Sequence, residues 1–174
     1  MATWIRHASV SSGAAVTSAA AVDAAGNSIL AGHFQGALNW GETLMSSPAA
    51  NAGLICKVDG DGEPLWAVAV TPTGTGSHAE AYGVAVDSGG NTIAAGTFSG
   101  TVAIGEQGAT SAGAEDVWIA KLDPLGGLMW MKSFGRVGGS AVAWSVANSP
   151  SGQIGLTGRH HGGTDFGSGP LGAA

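Results

Sequence analysis

An internal repeat runs the length of the chain, and no other feature restricts its fold as much. Ala21-Val22-Asp23-Ala24-Ala25-Gly26-Asn27-Ser28-Ile29 returns as Ala85-Val86-Asp87-Ser88-Gly89-Gly90-Asn91-Thr92-Ile93, an offset of 64. The same offset carries Gly32, Phe34, Gly36 and Gly41 to Gly96, Phe98, Gly100 and Gly105. It also carries Lys57, Asp59, Gly62 and Trp66 to Lys121, Asp123, Gly126 and Trp130. An offset of 62 then takes Gly90, Gly96, Gly100 and Gly105 to Gly152, Gly158, Gly162 and Gly167, and separates Trp4 from Trp66. A fixed period marks a chain built of equivalent units, each burying its apolar face against a neighbour. Phased on the tryptophans, the units are 4–65, 66–129 and a truncated 130–174, within a single domain 1–174.

Each unit reads as short strands. Residues 81–87 are an apolar run ending at Asp-Ser-Gly-Gly-Asn, where the Asp side chain caps backbone donors and Gly supplies positive φ. A second strand follows over 91–98, and Asp116 to Asp123 reads as a third. A tight turn at Gly126 leads into a fourth strand over 128–134. Four strands joined by turns form the pattern of a propeller blade, and the residues in excess of a typical blade are expected as a loop around 101–115. The expected fold is therefore all-β: a partial β-propeller of consecutive four-stranded antiparallel blades, about two complete and parts of two more. A ring closes with ~4–8 blades, so further blades are expected from a longer chain or from self-association.

Composition agrees. Only 10 % of the 174 residues are charged and 31 are glycine, too few Leu, Glu and Lys for long amphipathic helices. Six basic residues against twelve acidic ones give no footprint for nucleic acid. No apolar run approaches the ~18 residues of a membrane span. A single cysteine, Cys56, can make no internal disulfide.

Ala-Val-Asp-Ser-Gly-Gly-Asn-Thr-Ile-Ala-Ala-Gly-Thr-Phe-Ser-Gly (85–100), Asp-Val-Trp-Ile-Ala-Lys-Leu-Asp (116–123) with its following Gly-x-x-x-Trp, and Thr164-Asp165-Phe166-Gly167-Ser168-Gly169-Pro170-Leu171 resemble the bacterial beta-propeller repeats called SBBP repeats. The likeness covers essentially the whole chain and is greatest to the long-period form in large secreted or lipid-anchored proteins of myxobacteria. It implies an extracytoplasmic, mostly non-catalytic propeller at the cell surface, secreted or in the periplasm. No secretion signal is visible at Met1-Ala2-Thr3-Trp4.

Candidate chemical groups are few. Asp59-Gly60-Asp61-Gly62-Glu63 alternates carboxylates with glycine, so Asp59, Asp61 and Glu63 form the one Ca²⁺ candidate. The equivalent turn, Asp123-Pro124-Leu125-Gly126-Gly127, keeps only the first Asp and the Gly, which is turn chemistry. Adjacent strand residues point to opposite faces, so His160-His161 cannot chelate one ion in the usual way. His7, His33 and His78 read as polar filler. Trp4, Trp66 and Trp130 recur after the turns and are expected to pack blade on blade. Lys57 and Lys121 are expected to pair with turn aspartates as surface ion pairs of ~0–1 kcal/mol. Cys56 is expected to be a buried, inert thiol. No Gly-x-Ser-x-Gly elbow and no phosphate loop occurs. No cofactor is assigned beyond that Ca²⁺ candidate. The reading is a non-catalytic scaffold binding a protein or glycan through the variable segments 42–52, 71–80 and 106–115. The competing expectation is a quinoprotein-like enzyme fragment with its site at the ring centre, although the Asp-x-x-Gly-x-x-x-Trp spacing is one residue short of that motif.

Overall fold

The computed structural model describes residues 9–167. Within them are twelve strands and no helix, so no helix is long and apolar enough to cross a membrane. Strands β1 (Ser9–Val22), β2 (Ser28–Trp40), β3 (Thr43–Val58) and β4 (Pro64–Pro72) form an antiparallel meander. The second sheet holds β5 (His78–Val86), β6 (Thr92–Ser99), β9 (Asp116–Leu122) and β10 (Leu128–Phe134), in spatial order β5-β6-β9-β10. The third has β11 (Ser140–Asn148) and β12 (Ile154–His161). The sheets are all-antiparallel and none closes on itself. Trp66 and Trp130 lie on β4 and β10, the last strands of their meanders, so units phased on the tryptophans start one strand ahead of each new sheet.

Residues 101–110, expected as part of a loop, form a hairpin instead. Strands β7 (Thr101–Ile104) and β8 (Gln107–Thr110) pair with each other, and β7 pairs with β4 of the preceding sheet through Thr71↔Ala103 and Pro72↔Val102. In the first unit the equivalent residues are the continuous outer ends of β2 and β3, with Ala37↔Ser46 and Trp40↔Thr43 in register.

Two devices recur because local geometry demands them. Asp23–Asn27, Asp59–Glu63, Asp87–Asn91, Asp123–Gly127 and Ser149–Gln153 are one five-residue turn, in which the first N–H donates to the fifth carbonyl and the glycine N–H to the first. The glycine at the fourth position has φ between +78° and +87° (Gly90 and Gly126 at the extremes), which only glycine adopts cheaply. Each Asp adds its own cap: Oδ1 of Asp87 accepts from the N–H of Gly89 and Asn91, both at 2.9 Å.

The second device is a bulge. Pairing of the first two strands slips between Thr17 and Ala19, Ala81 and Gly83, and Ala143 and Ser145, leaving Ser18, Tyr82 and Trp144 as the extra residues. Opposite lie Gly32, Gly96 and Gly158, where a Cβ would sit 1.9 Å from the carbonyl oxygen of Val16, Glu80 and Val142. A bulge bends its strand, here so closely that no side chain fits beneath it.

Two of the three apolar clusters among the described residues lie between sheets, and the third, with Phe34, Leu38, Trp40, Leu54 and Cys56, is made of first-sheet residues alone. Ile29, Ala31 and Ile55 of the first sheet pack with Ala81, Ala94, Phe98, Trp118 and Leu122 of the second. Ile93, Ala95 and Ile119 on the second sheet's other face pack with Ala141, Ala143 and Val146 of the third. These two sets hold equivalent positions, since 29, 31 and 55 become 93, 95 and 119 at the offset of 64. Small residues let the sheets approach, and aromatic side chains fill what remains.

Candidate functional site

The variable segments 42–52 and 71–80 converge. With Gln35 at the outer part of β2, they line a cleft of about 700 Å³ that includes Ser46, Asn51, Thr71, Thr75, Ser77 and His78. The 73–77 connection is tied down by the start of β7: Thr73 N–H donates to the Thr101 carbonyl at 2.9 Å, and Thr101 N–H donates to Ser77 Oγ at 2.9 Å. Pro72 can close β4 here because the strand's last pairing needs no N–H from it.

From the cleft a run of polar groups crosses into the second sheet. Asn51 Nδ2 donates to Glu80 Oε1 at 2.7 Å, and the Tyr82 hydroxyl donates to Glu80 Oε2. Burial by itself raises the Glu80 carboxyl; the bonds from Tyr82 and Asn51 and the nearby His33 and His78 outweigh it and hold it below its ordinary value. Burial, reinforced by the Glu80 and Glu115 carboxylates, pushes the Tyr82 phenol up to about 12. His78 Nδ1 lies 2.8 Å from Ser99 Oγ, and its Nε2 lies 3.9 Å from Glu115 Oε1. Glu115 in turn lies 3.4 Å from Ser140 Oγ and 3.9 Å from Arg159 of the third sheet. Ser99, His78 and Glu115 thus stand in the order of nucleophile, base and orienting acid, yet the 3.9 Å from His78 to Glu115 exceeds the hydrogen-bond reach that a triad requires.

Of the predicted metal ligands, Asp59 caps its own turn. Asp59 Oδ1 accepts from the N–H of Asp61 at 2.9 Å and of Glu63 at 2.8 Å. Among the described residues, no three His, Cys, Asp or Glu side chains gather as a metal-holding group. His160 and His161 are exposed on β12, whereas the Nδ1 of His33 is buried without a hydrogen-bond partner. Trp66 packs against the neighbouring sheet: its Nε1 donates to the Pro124 carbonyl at 3.0 Å, and its ring covers Gly126 in the β9–β10 turn of the second sheet. Trp130 is half-buried against the core between the second and third sheets, with Lys132 Nζ 5.8 Å from its ring centre. Trp4 and His7 lie outside the described residues. Cys56 is fully buried, and desolvation raises its thiol to about 12.

The ion pairs correct one expectation. Lys57 Nζ lies 2.8 Å from Asp23 Oδ2, with side chains only 6 % and 5 % exposed, so this is a buried pair and not a surface one. Lys121 and Asp87 lie 2.7 Å apart with 23 % and 13 % exposure. Burial opposes ionisation of both aspartates. The lysine, the partner Asn side chain and backbone N–H groups override it, bringing Asp87 down to about 2 and Asp23 lower still. Lys57 and Lys121 share the strand faces of Ile55 and Ile119, which pack against the next sheet, so sheet stacking accounts for their burial, an effect that the spacing of Asp and Lys along the chain does not register.

Asn51 and Glu80 were not singled out by motif. The available signal was position: Asn51, within β3, and Glu115, just before β9, stand 64 apart. No family model matches the chain, and no curated protein matches it.

Proposed function

We propose that this chain is a run of blades from a larger β-propeller of the SBBP-repeat kind, a non-catalytic scaffold of a bacterial surface or secreted protein that recognises a neutral, hydrogen-bonding partner, a glycan or a protein loop. The convergence of segments 42–52 and 71–80 on one cleft carries the reading, because sequence variation between otherwise equivalent units concentrates where a rigid scaffold presents its loops. The lining of hydroxyls, one amide pair from Gln35 and Asn51, and one imidazole contains no Lys or Arg, which suits an uncharged ligand better than a phosphate or a polyanion. Recurrence of the turn, the bulge and the intersheet core supports the blade assignment.

The test is a glycan and peptide array probed with the whole chain and with its Asn51→Ala and Thr75→Arg variants. Retention of a neutral ligand by the parent, lost in both variants with unchanged thermal midpoints, supports recognition through the cleft. Binding that survives both substitutions places recognition elsewhere and refutes it.

A further inference from the structure

We infer that the cleft between segments 42–52 and 71–80 receives an extended, glycine-bearing segment of a partner protein, held by its main chain. This names the partner class for the recognition reading proposed above and rests on it. The junction of the second and third sheets shows what such a seat holds. There the chain's own residues 112–115 run against the turn 136–139. Ala114 N–H donates to the Gly139 carbonyl at 3.0 Å, Ala141 N–H donates to the Glu115 carbonyl at 2.8 Å, and Glu115 bridges Ser140 in parallel. Gly113 makes the closest approach, since a Cβ on it would meet the carbonyl oxygens of Gly139 and Arg136 at 2.3 and 2.7 Å. Asp116 holds the segment, its carboxylate accepting from the N–H of Ala112 at 2.6 Å and of Gly113 at 3.2 Å.

The junction of the first and second sheets is built alike but left open. Its turn 74–77 repeats 136–139 at the offset of 62. Ser77 N–H donates to the Gly74 carbonyl at 3.2 Å as Gly139 N–H does to Arg136 at 2.8 Å, and Gly76 and Gly138 have φ of +74° and +75°. Segment 48–51 stands where 112–115 does at the offset of 64, with residues that do not suit the seat. Ala49 takes the place of Gly113, the position where a Cβ meets two carbonyls. Pro48 has no N–H for a cap, and Ala52 takes the place of Asp116. Among the described residues no main-chain bond joins Ala50 to Ser77; instead both line the cleft of about 700 Å³.

The lining keeps hydrogen-bonding capacity of the kind a peptide group uses. Ser47 and Ser77 line the cleft and are only 6 % and 2 % exposed. Ser47 Oγ donates to the Ala50 carbonyl at 2.8 Å, which leaves its lone pairs to accept; Ser77 Oγ accepts from Thr101 N–H at 2.9 Å, which leaves its proton to donate. One N–H and one C=O answer both. Gly74 and Gly76, also in the lining, let another backbone come close. The lining holds no Phe, Tyr or Trp, so a sugar ring finds no aromatic face there. Main-chain bonds give such recognition its affinity, and the specificity lies in a glycine at the point of closest approach.

The experiment adds a dye-labelled synthetic peptide of residues 109–116, Ala-Thr-Ser-Ala-Gly-Ala-Glu-Asp, to the whole chain and follows fluorescence anisotropy, with the glycan array probed in parallel. Saturable one-to-one binding is expected, weakened about tenfold or more with the Gly113→Ala peptide and with the Thr75→Arg protein at an unchanged thermal midpoint. Pro48→Ala with Ala49→Gly lets the chain's own segment take the seat and should weaken uptake of the parent peptide. No uptake of the parent peptide, equal uptake of the Gly113→Ala peptide, or undiminished uptake by the Pro48→Ala, Ala49→Gly protein overturns the inference. A neutral glycan retained through the cleft while the peptide fails overturns main-chain recognition alone and leaves the recognition reading standing. Peptide binding undiminished by both Thr75→Arg and Asn51→Ala lies elsewhere and overturns both.

Discussion

Replacing Lys57 with methionine removes one charge and keeps most of the apolar stem, leaving Asp23 as an uncompensated carboxylate whose side chain is 5 % exposed. Breaking a buried pair from one side costs ~3–5 kcal/mol, because the remaining charge stays desolvated. Lys121→Met is the internal control. It breaks a pair of the same kind and register, but Asp87 and Lys121 keep 13 % and 23 % of their exposure, so solvent compensates and ~1–2 kcal/mol is expected. Equilibrium urea unfolding of the three proteins reads both numbers as midpoint shifts at constant slope. Removing both charges, Asp23→Leu with Lys57→Met, should recover part of the loss. The deficit that remains reflects Asp23 as a turn cap, since its Oδ1 also accepts from Ala25 and Asn27 N–H at 2.9 Å. The pH dependence has a definite sign. Both carboxyls are depressed in the folded chain, so their contribution is complete above the unfolded carboxylate value of ~4. It is lost as pH falls toward the folded value, about 2 for Asp87 and lower for Asp23. A Lys57→Met cost below ~1 kcal/mol, or one no larger than that of Lys121→Met, would refute the claim that sheet stacking buries this pair.

Trp118→Ala should cost ~3–5 kcal/mol as a large-to-small change at a fully buried site, measured by the same urea titration. Trp118→Phe, which keeps a ring and drops the indole N–H bonds to the carbonyls of Glu80 at 3.1 Å and Thr97 at 3.2 Å, should cost less; equal costs would contradict a role for the indole N–H in stability. Gly96→Ala should destabilise far more than Gly26→Ala per added methyl, because its Cβ meets a backbone carbonyl at 1.9 Å while Gly26 faces open space; thermal midpoints decide. The Cys56 thiol, raised to about 12 and buried, should resist an aromatic disulfide reagent at mildly alkaline pH until denaturant is added. Millimolar calcium should leave the thermal midpoint unchanged, since Asp59 Oδ1 already accepts from two backbone donors; a rise would support a Ca²⁺ site at Asp59, Asp61 and Glu63.

What recurred along the chain was legible, and what differed was not. The strands at 81–87, 91–98, 116–123 and 128–134 and the Asp-x-x-Gly turns were readable because backbone geometry requires the same residues each time. The hairpin 101–110 was not. Thr101–Ile104 and Gln107–Thr110 are four residues each, too short for a period-two pattern, and part of their pairing comes from β4, about thirty residues earlier in the chain. Trp118 stood inside a quoted motif but was not singled out as a core residue, for the opposite reason: its equivalent in the first unit is Leu54, so a filter on recurrence passes over the side chain that fills the core. The polar run suffers likewise, because Glu80 stands where the other units carry Val16 and Val142. Recurrence finds scaffold, while a binding site lies in the departures from it.

Equivalent sheets arranged about an axis make one geometric demand that spin labels can read. Ala24, Ser88 and Pro150 are exposed and occupy the same place in the first-turn hairpins of successive units. Pairwise dipolar distances among cysteine-linked labels at these positions, with Cys56 changed to Ala, should give equal 24–88 and 88–150 separations near one intersheet spacing of ~10 Å plus the label length. The 24–150 separation should fall short of their sum, as curvature requires. Unequal neighbours, or steps of about four strand spacings, ~19 Å before the label, adding in a straight line, would mean a single extended sheet and contradict the account.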